Sequence, residues 1–257
     1  MLRCENVSFA YEKNKRFIEN LDLNIPKGKI TTILGPNGSG KSTLLSLLCC
    51  YNKPSNGCIY LEDTNLSKLK TKEIARKIAT VHQENEAPED ISVETLISYG
   101  RAPHKKSGKN EKENDDSIID WAIKSTNLEE IKDKKVMSLS GGQRQRAFIA
   151  MALAQKTDIL LLDEPTTYLD IYHQIEILEM IKELNEKYGI TIIMVLHDIN
   201  QAIKYSHNIV IMKDGNLIQN GSPDKIINEK TIKDVYKVQG IICNHEDEMY
   251  FVPKSAC

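Results

Sequence analysis

The chain has no C-x-x-C pair, a single tryptophan, and no apolar run near the ~18–20 residues that a bilayer-crossing helix needs. Its six cysteines (Cys4, Cys49, Cys50, Cys58, Cys243, Cys257) lack metal-like spacing, so neither a zinc site nor a disulfide framework is expected. They read as free thiols of a reducing compartment, with Cys49 and Cys50 on a buried helix. An excess of one charge is also missing. Against 34 Lys and Arg stand 36 Asp and Glu, a formal net charge of −2, which provides no basic field for nucleic acid. The opening stretch "MLRCENVSFAYEKN" has neither the apolar core of a signal peptide nor the acid-poor composition of a transit peptide. A soluble, cytosolic protein is therefore expected, and any membrane role requires a separate partner. Internal repeats and low-complexity tracts are absent as well.

What is present is enough to fold. At 257 residues and 40% hydrophobic content, the chain can form one large domain, or a core domain carrying a subdomain. Three short apolar runs read as strands: "KITTIL" (Lys29–Leu34), "DILLLD" (Asp158–Asp163) and "ITIIMVL" (Ile190–Leu196). The last two are nearly unbroken, as in strands buried on both faces of a parallel sheet. Between them, "YHQIEILEMIKELNEKYG" places Ile175, Leu178, Ile181 and Leu184 along one helical face and stops at Gly189. A strand–helix–strand unit of this kind predicts an α/β core. From about Glu84 to Gln155 the pattern is helical, broken by "HKKSGKNEKENDD" (His104–Asp116), whose mixed charges read as a solvated loop. Trp121, beside Ile118 and Ile119, reads as core of this helical stretch. After Lys213 come a turn ("KDGN"), a helix near Pro223–Lys237 and a terminal hairpin.

Three motifs carry chemistry. "GPNGSGKST" follows "KITTIL" and opens the helix "KSTLLSLL", the strand–loop–helix setting of a phosphate-binding loop. Gly35, Pro36, Asn37, Gly38, Ser39 and Gly40 supply backbone that can wrap phosphates. Lys41 brings a point charge to the terminal phosphates, and Ser42, followed by Thr43, offers a hydroxyl to Mg²⁺. "ILLLDEP" ends a hydrophobic strand in two carboxylates. There Asp163 suits the Mg²⁺ water shell, and Glu164 suits a general base for the attacking water. "LSGGQRQ" (Leu139–Gln145) puts glycines at the start of a second helix, where N–H groups and the helix dipole favour an anion.

Together, "GPNGSGKST", "LSGGQ" and "LLLDEP" resemble the ATP-binding cassette (ABC) ATPase family, over nearly the whole chain and in the family's order. The resemblance implies a P-loop NTPase fold, with a RecA-like core, an antiparallel β subdomain and an inserted α-helical subdomain. Residues 1–257 would be a single ABC ATPase domain: 1–84 and 156–257 form the catalytic core with the β subdomain, and 85–155 the helical subdomain. ATP and Mg²⁺ are the implied cofactors. It further implies a head-to-tail dimer of two copies with two ATP at the seam. Ser140, Gly141, Gly142 and Gln143 of one copy would cap the nucleotide on the other's P-loop, and Asp170 in "TTYLD" would sit in the seam-crossing loop. Tyr11 matches the family aromatic that stacks on adenine. Gln83 in "VHQENE" matches the glutamine that touches Mg²⁺ and water, and His197 after "TIIMVL" the switch histidine that contacts the γ-phosphate. His82, His104, His173, His207 and His245 have no such match and are expected to be structural.

One P-loop excludes a double-cassette translation factor, and the short insert excludes a chromosome-maintenance ATPase. The absence of spanning helices excludes a cassette fused to its transporter. "SYGRAPH" (Ser98–His104), "DEPTTYLDIYHQIEILEMI" (Asp163–Ile181) and "VLHDINQA" (Val195–Ala202) are similar to import cassettes for ferric siderophores, haem and cobalamin, nearest the first. Bottom-up, "YGRAPH" is a helix end with a basic residue and a proline break. The implied activity is ATP hydrolysis that powers import of an iron complex through separate membrane permease subunits, and indirectly a solute-binding protein, from the inner face of the cell membrane. Glu84–Ser98 is the implied docking surface for the permease, and no nucleic acid is involved. Cobalamin or haem import, or a soluble assembly or regulatory ATPase, are the alternatives.

Overall fold

The computed structural model describes residues 1–12, 15–105, 112–246 and 248–257. The chain forms two compact units: Met1–Leu69 with Thr191–Cys257, and Lys70–Ile190.

In the first unit, β1 (Leu2–Glu12) pairs antiparallel with β2 (Lys15–Ile25), and β3 (Ile30–Leu34) follows. Helix α1 (Lys41–Leu48) leads to β4 (Asn56–Leu61), which pairs with the other side of β1 and with the short β5 (Thr64–Asn65). The antiparallel order β2-β1-β4-β5 fits the expected β subdomain.

The second unit opens with α2 (Thr71–Ala75) and β6 (Ile78–Val81), followed by α3 (Val93–Ser98) and a 3₁₀ segment over Tyr99–His104. Helices α4 (Lys112–Ser125) and α5 (Gly141–Ala154) come next, and β7 (Ile159–Leu162) then pairs parallel with β6. The unit ends with α6 (Ile171–Tyr188), closed by Gly189 in the left-handed region (φ 66).

The chain then returns to the first unit. β8 (Thr191–Val195) pairs parallel with β3 on one side, and after α7 (Ile199–Tyr205), β9 (Asn208–Lys213) pairs parallel with β3 on the other. Every residue of β7 and β8 is buried, as the nearly unbroken apolar runs predict, and so is every residue of β3. β10 (Asn216–Gly221) turns back on β9 through Asp214–Gly215, both at positive φ. Helices α8 (Pro223–Ile226) and α9 (Glu229–Tyr236) follow, then the terminal hairpin of β11 (Val238–His245) and β12 (Glu248–Ala256).

Several expectations need correction. The polar stretch His104–Asp116 is not loop throughout. Residues 106–111 lie outside the described residues, and α4 already begins at Lys112. Asp115 on α4 pairs with Arg101 Nε at 2.6 Å, and Arg101, 5% exposed, also donates to the Ala154 carbonyl. A buried guanidinium needs such partners, so the helix end "YGRAPH" is also an internal anchor of this unit. Ile175 is 45% exposed; the inward stripe of α6 is Ile177, Leu178, Ile181 and Leu184. Cys49 and Cys50 lie just past α1 and not on it, half-buried, with Cys50 in the left-handed region (φ 60). Burial pushes the Cys50 thiol up to about 11 and the Cys4 thiol to about 12, so both stay protonated and inert at neutral pH. The helix expected near Pro223–Lys237 is two helices, because Asn228 caps α9 by accepting from Thr231 N–H.

Candidate functional site

The first unit carries the phosphate loop. β3 ends at Leu34 and α1 begins at Lys41, so the six residues Gly35–Gly40 form the loop between them. Gly38 sits at φ 77, a conformation costly to any residue with a Cβ, and the space beside its Cα is open. The Lys41 side chain folds back into the loop. Its Nζ donates to the Gly35 carbonyl (3.0 Å) and the Pro36 carbonyl (3.1 Å), and the residue is only 5% exposed. Behind the loop, Gly215 N–H from the β9–β10 turn donates to the Ser39 carbonyl at 3.0 Å. The Tyr236 hydroxyl of α9 is buried beside the Gly35 backbone, and burial pushes its phenol well above the ordinary range. A rigid frame therefore holds loop N–H groups and one ammonium, the donor set a polyphosphate needs.

Tyr11, placed by β1, reaches this loop. Its hydroxyl lies 2.6 Å from Thr43 Oγ1, while the residue stays 65% exposed with Phe9 and Phe17 rings beside it. An exposed aromatic face next to a phosphate loop can stack a planar ring. Ser42 is exposed on the first turn of α1. His197 ends up at the same sheet edge. In the parallel register Ile33 faces Val195, so Gly35 and His197 each follow two residues beyond a paired position. His197 is exposed there, just before the α7 cap Asp198.

The second unit carries the carboxylates. β6 and β7 run in register, Val81 beside Leu162, which brings Gln83 and Glu164 out at one edge. Gln83 Nε2 donates to Glu164 Oε2 at 2.7 Å, and Thr167 Oγ1 donates to the same oxygen at 3.0 Å. Glu164 holds φ 50, a strained region for a non-glycine residue at a cost of order 1–3 kcal/mol. Asp163 is half-buried, its N–H bonded to the Val81 carbonyl (2.9 Å).

The loop onward from Glu164 runs to the start of α6, where Leu169 and His173 lie against the glycines of the signature turn. Ser140 caps α5 by accepting from Gln143 N–H, and Gln143 Oε1 accepts from Ser140 N–H, a capping box of an exposed serine and a half-buried glutamine. Asp170 caps α6 and accepts from both His173 N–H and the His173 ring. Those bonds, the backbone one first, hold the Asp170 carboxyl below the usual carboxylate range. His173 in turn lies on Gly142, where a Cβ would come within 2.6 Å of its ring; at Gly141 the nearest atom is the flexible Leu169 side chain at 3.2 Å. The second glycine is thus demanded within this chain, by the close approach of α5 to the start of α6. Gly142→Ala is expected to displace His173 and to lower ATP turnover about 10-fold or more, since small misplacements at assembled sites cost that much. Gly141→Ala should be milder. Steady-state hydrolysis of both variants checks it; equal turnover would sink the packing argument.

Sequence reasoning missed Thr167 and His173. Thr167 sits in "PTT" with no signal beyond proximity to Glu164, and a lone histidine three residues after an aspartate reads as ordinary helix capping. Trp121 is only half-buried. It lines a cavity of about 160 Å³ with Leu153, Lys156, Tyr188 and others, with Tyr188 edge-on and Lys156 Nζ 3.7 Å from the ring centre. His104 and His207 are structural as expected, bonded to the Gln155 carbonyl and to Ile30 N–H.

Comparison with known proteins bears on the same residues. The ABC transporter family model matches residues 18–167, more than half of the chain. The petrobactin import ATP-binding protein FpuC of Bacillus anthracis is 43% identical over 99% of this chain and 93% of its own length. The probable siderophore transport system ATP-binding protein YusV of Bacillus subtilis is 48% identical over 92% of this chain and 86% of its own. The dimeric post-hydrolysis structure of the ATP-binding cassette MJ0796 bound to ADP and Pi superposes with a TM-score of 0.75 at 32% identity, covering 87% of this chain and 99% of that one. A phosphate loop closed on a buried lysine, a strand-end carboxylate pair and a capped glycine turn thus coincide with family-level identity along nearly the entire sequence, and the chain belongs to the ABC transporter family as an ATP-binding cassette.

Proposed function

We propose that this chain is the ATP-hydrolysing subunit that powers uptake of a ferric siderophore through a separate membrane permease. The observation that carries the reading is the identity to siderophore-import cassettes over 99% and 92% of the chain, on a site with the groups for ATP hydrolysis.

In this reading Gly35–Thr43 hold the phosphates, with Lys41 turning its ammonium from two loop carbonyls to the terminal phosphates. Tyr11 stacks on adenine. The donor set fits Mg²⁺, a hard cation that keeps several waters and takes few protein ligands: the Ser42 hydroxyl, the Asp163 carboxylate and the Gln83 amide oxygen would hold it. The ion would neutralise charge on the phosphate oxygens. Glu164 takes the proton of the attacking water, and His197 contacts the γ-phosphate. Ser140, Gly141, Gly142 and Gln143 cap the ATP held by a second copy, with Asp170 in the seam loop. Loss of the γ-phosphate then releases the clamp, which converts hydrolysis into motion. The catalytic core comprises 1–84 and 156–257, the helical subdomain 85–155, and the segment Glu84–Ser98 faces the permease. The chain would work on the inner face of the cell membrane, served indirectly by a solute-binding protein. Among the described residues no helix is long and apolar enough to cross a membrane, which is why the reading needs a permease.

The test is uptake of labelled ferric siderophore, haem and cobalamin in cells lacking the chain, each complemented with wild type or Glu164→Gln. Loss of siderophore uptake alone, restored only by wild type, is the expected outcome. Loss of haem or cobalamin uptake would reassign the cargo, and unchanged uptake of all three would favour a soluble ATPase.

A further inference from the structure

The terminal segment "ICNHEDEMYFVPKSAC" has no part in the site described so far, yet it is tied to it. Asn200, three residues after His197, clamps the backbone of Phe251 in β12. Its Nδ2 donates to the Phe251 carbonyl at 3.1 Å, and its Oδ1 accepts from Phe251 N–H at 2.7 Å. Phe251 lies opposite Ile242 in the hairpin register, and both of its backbone groups bond Asn200 on α7. One side-chain amide thus takes the place of a neighbouring strand. Further along α7, Lys204 Nζ lies 4.0 Å from Glu248 Oε1 of β12. The hairpin itself is anchored. Phe251 is 6% exposed, and Cys257 N–H returns to the Lys237 carbonyl at the end of α9, closing the two termini of the hairpin together.

α7 is short, Ile199–Tyr205, and its cap Asp198 directly follows His197. A seven-residue helix has little stability of its own, so its position is set by what it packs on. Ala202 and Tyr205 fix one face by burial, Asp198 caps the first turn by accepting from Gln201 N–H, and the Asn200 clamp ties that turn, next to His197, to β12. Asn200 is itself exposed, so the clamp fills no core space that an alanine would leave empty.

We infer that the terminal hairpin is a strut for the γ-phosphate contact: Asn200 is a positioning residue that holds the first turn of α7, and with it His197, in register with the phosphate loop. The inference rests on the reading of His197 as that contact. It assigns to the C-terminal hairpin a role in ATP turnover and none in ATP binding.

A double-mutant cycle on the purified full-length chain tests it, with ATP affinity, kcat and thermal unfolding measured for Asn200→Ala, His197→Ala and the pair. Asn200→Ala is expected to lower kcat about 10-fold with ATP affinity within about twofold, the scale of a small displacement at an assembled site. In the His197→Ala background the same change should lower kcat no further. Asn200→Asp, which keeps the acceptor for Phe251 N–H but loses the donor, should fall between wild type and Asn200→Ala. If Asn200→Ala lowers only the unfolding temperature, or if the two losses multiply, the clamp is structural and the proposal is overturned. If His197→Ala itself turns over like wild type, the reading of His197 fails and the proposal falls with it, a different signature from the first.

Discussion

Glu164→Gln should reduce ATP turnover about 10²–10⁴-fold, the usual loss when a general base is removed, while ATP affinity stays within about twofold. The geometry makes this substitution clean. Glu164 Oε2 accepts from Gln83 Nε2 and Thr167 Oγ1, and a glutamine carbonyl oxygen can accept from the same two donors. Neither side-chain volume nor the strained φ of 50 changes, so the folded site survives and only the proton acceptor is lost. Steady-state hydrolysis beside a binding titration separates the two effects. Turnover near wild type would remove Glu164 from its role, and an equal loss of affinity would mean that the pair with Gln83 shapes the nucleotide site.

Lys41→Ala should weaken ATP binding by about 10–10²-fold, the worth of one or two charge-assisted hydrogen bonds to phosphate. Two effects add here. The ammonium that would meet the phosphates is removed, and so are the bonds that hold the Gly35 and Pro36 carbonyls inward. Lys41→Arg is expected to fail as well, because a planar fork does not fit a 5% exposed position built around a point charge. Titration with ATP at low and moderate salt reads the loss. If the arginine variant binds like wild type, charge alone suffices and the fit of the loop around the lysine is not what matters.

Much of this protein was legible in the sequence because its elements are locally determined. Nearly unbroken short runs such as "ILLL" and "TIIMV", rich in aliphatic residues, fit strands covered on both sides. Glycines at fixed spacing ahead of a lysine leave few folds other than a phosphate loop. The Ser140 and Asp170 caps are also local, each side chain bonding a backbone N–H three residues on.

Other features were not legible, because they depend on which distant residues meet. Ile175 follows the apolar spacing of α6 yet lies outside its buried stripe, since spacing gives a face and only packing chooses its centre. Asp115 looked like part of a solvated charge run, but the burial of Arg101 gives it a partner.

By itself, then, the sequence determined the kind of chemistry: the P-loop, the strand-end carboxylates and the signature turn are short motifs whose backbone requirements are written in adjacent residues. Tertiary structure alone decided which groups hold them in place. Gln83 on Glu164, His173 under Gly142, Gly215 behind Ser39 and Phe251 on Asn200 join residues separated by up to 176 positions, as with Ser39 and Gly215. No local propensity encodes such pairs, because each exists only after the sheet registers and helix packing have brought the partners within a hydrogen bond of one another.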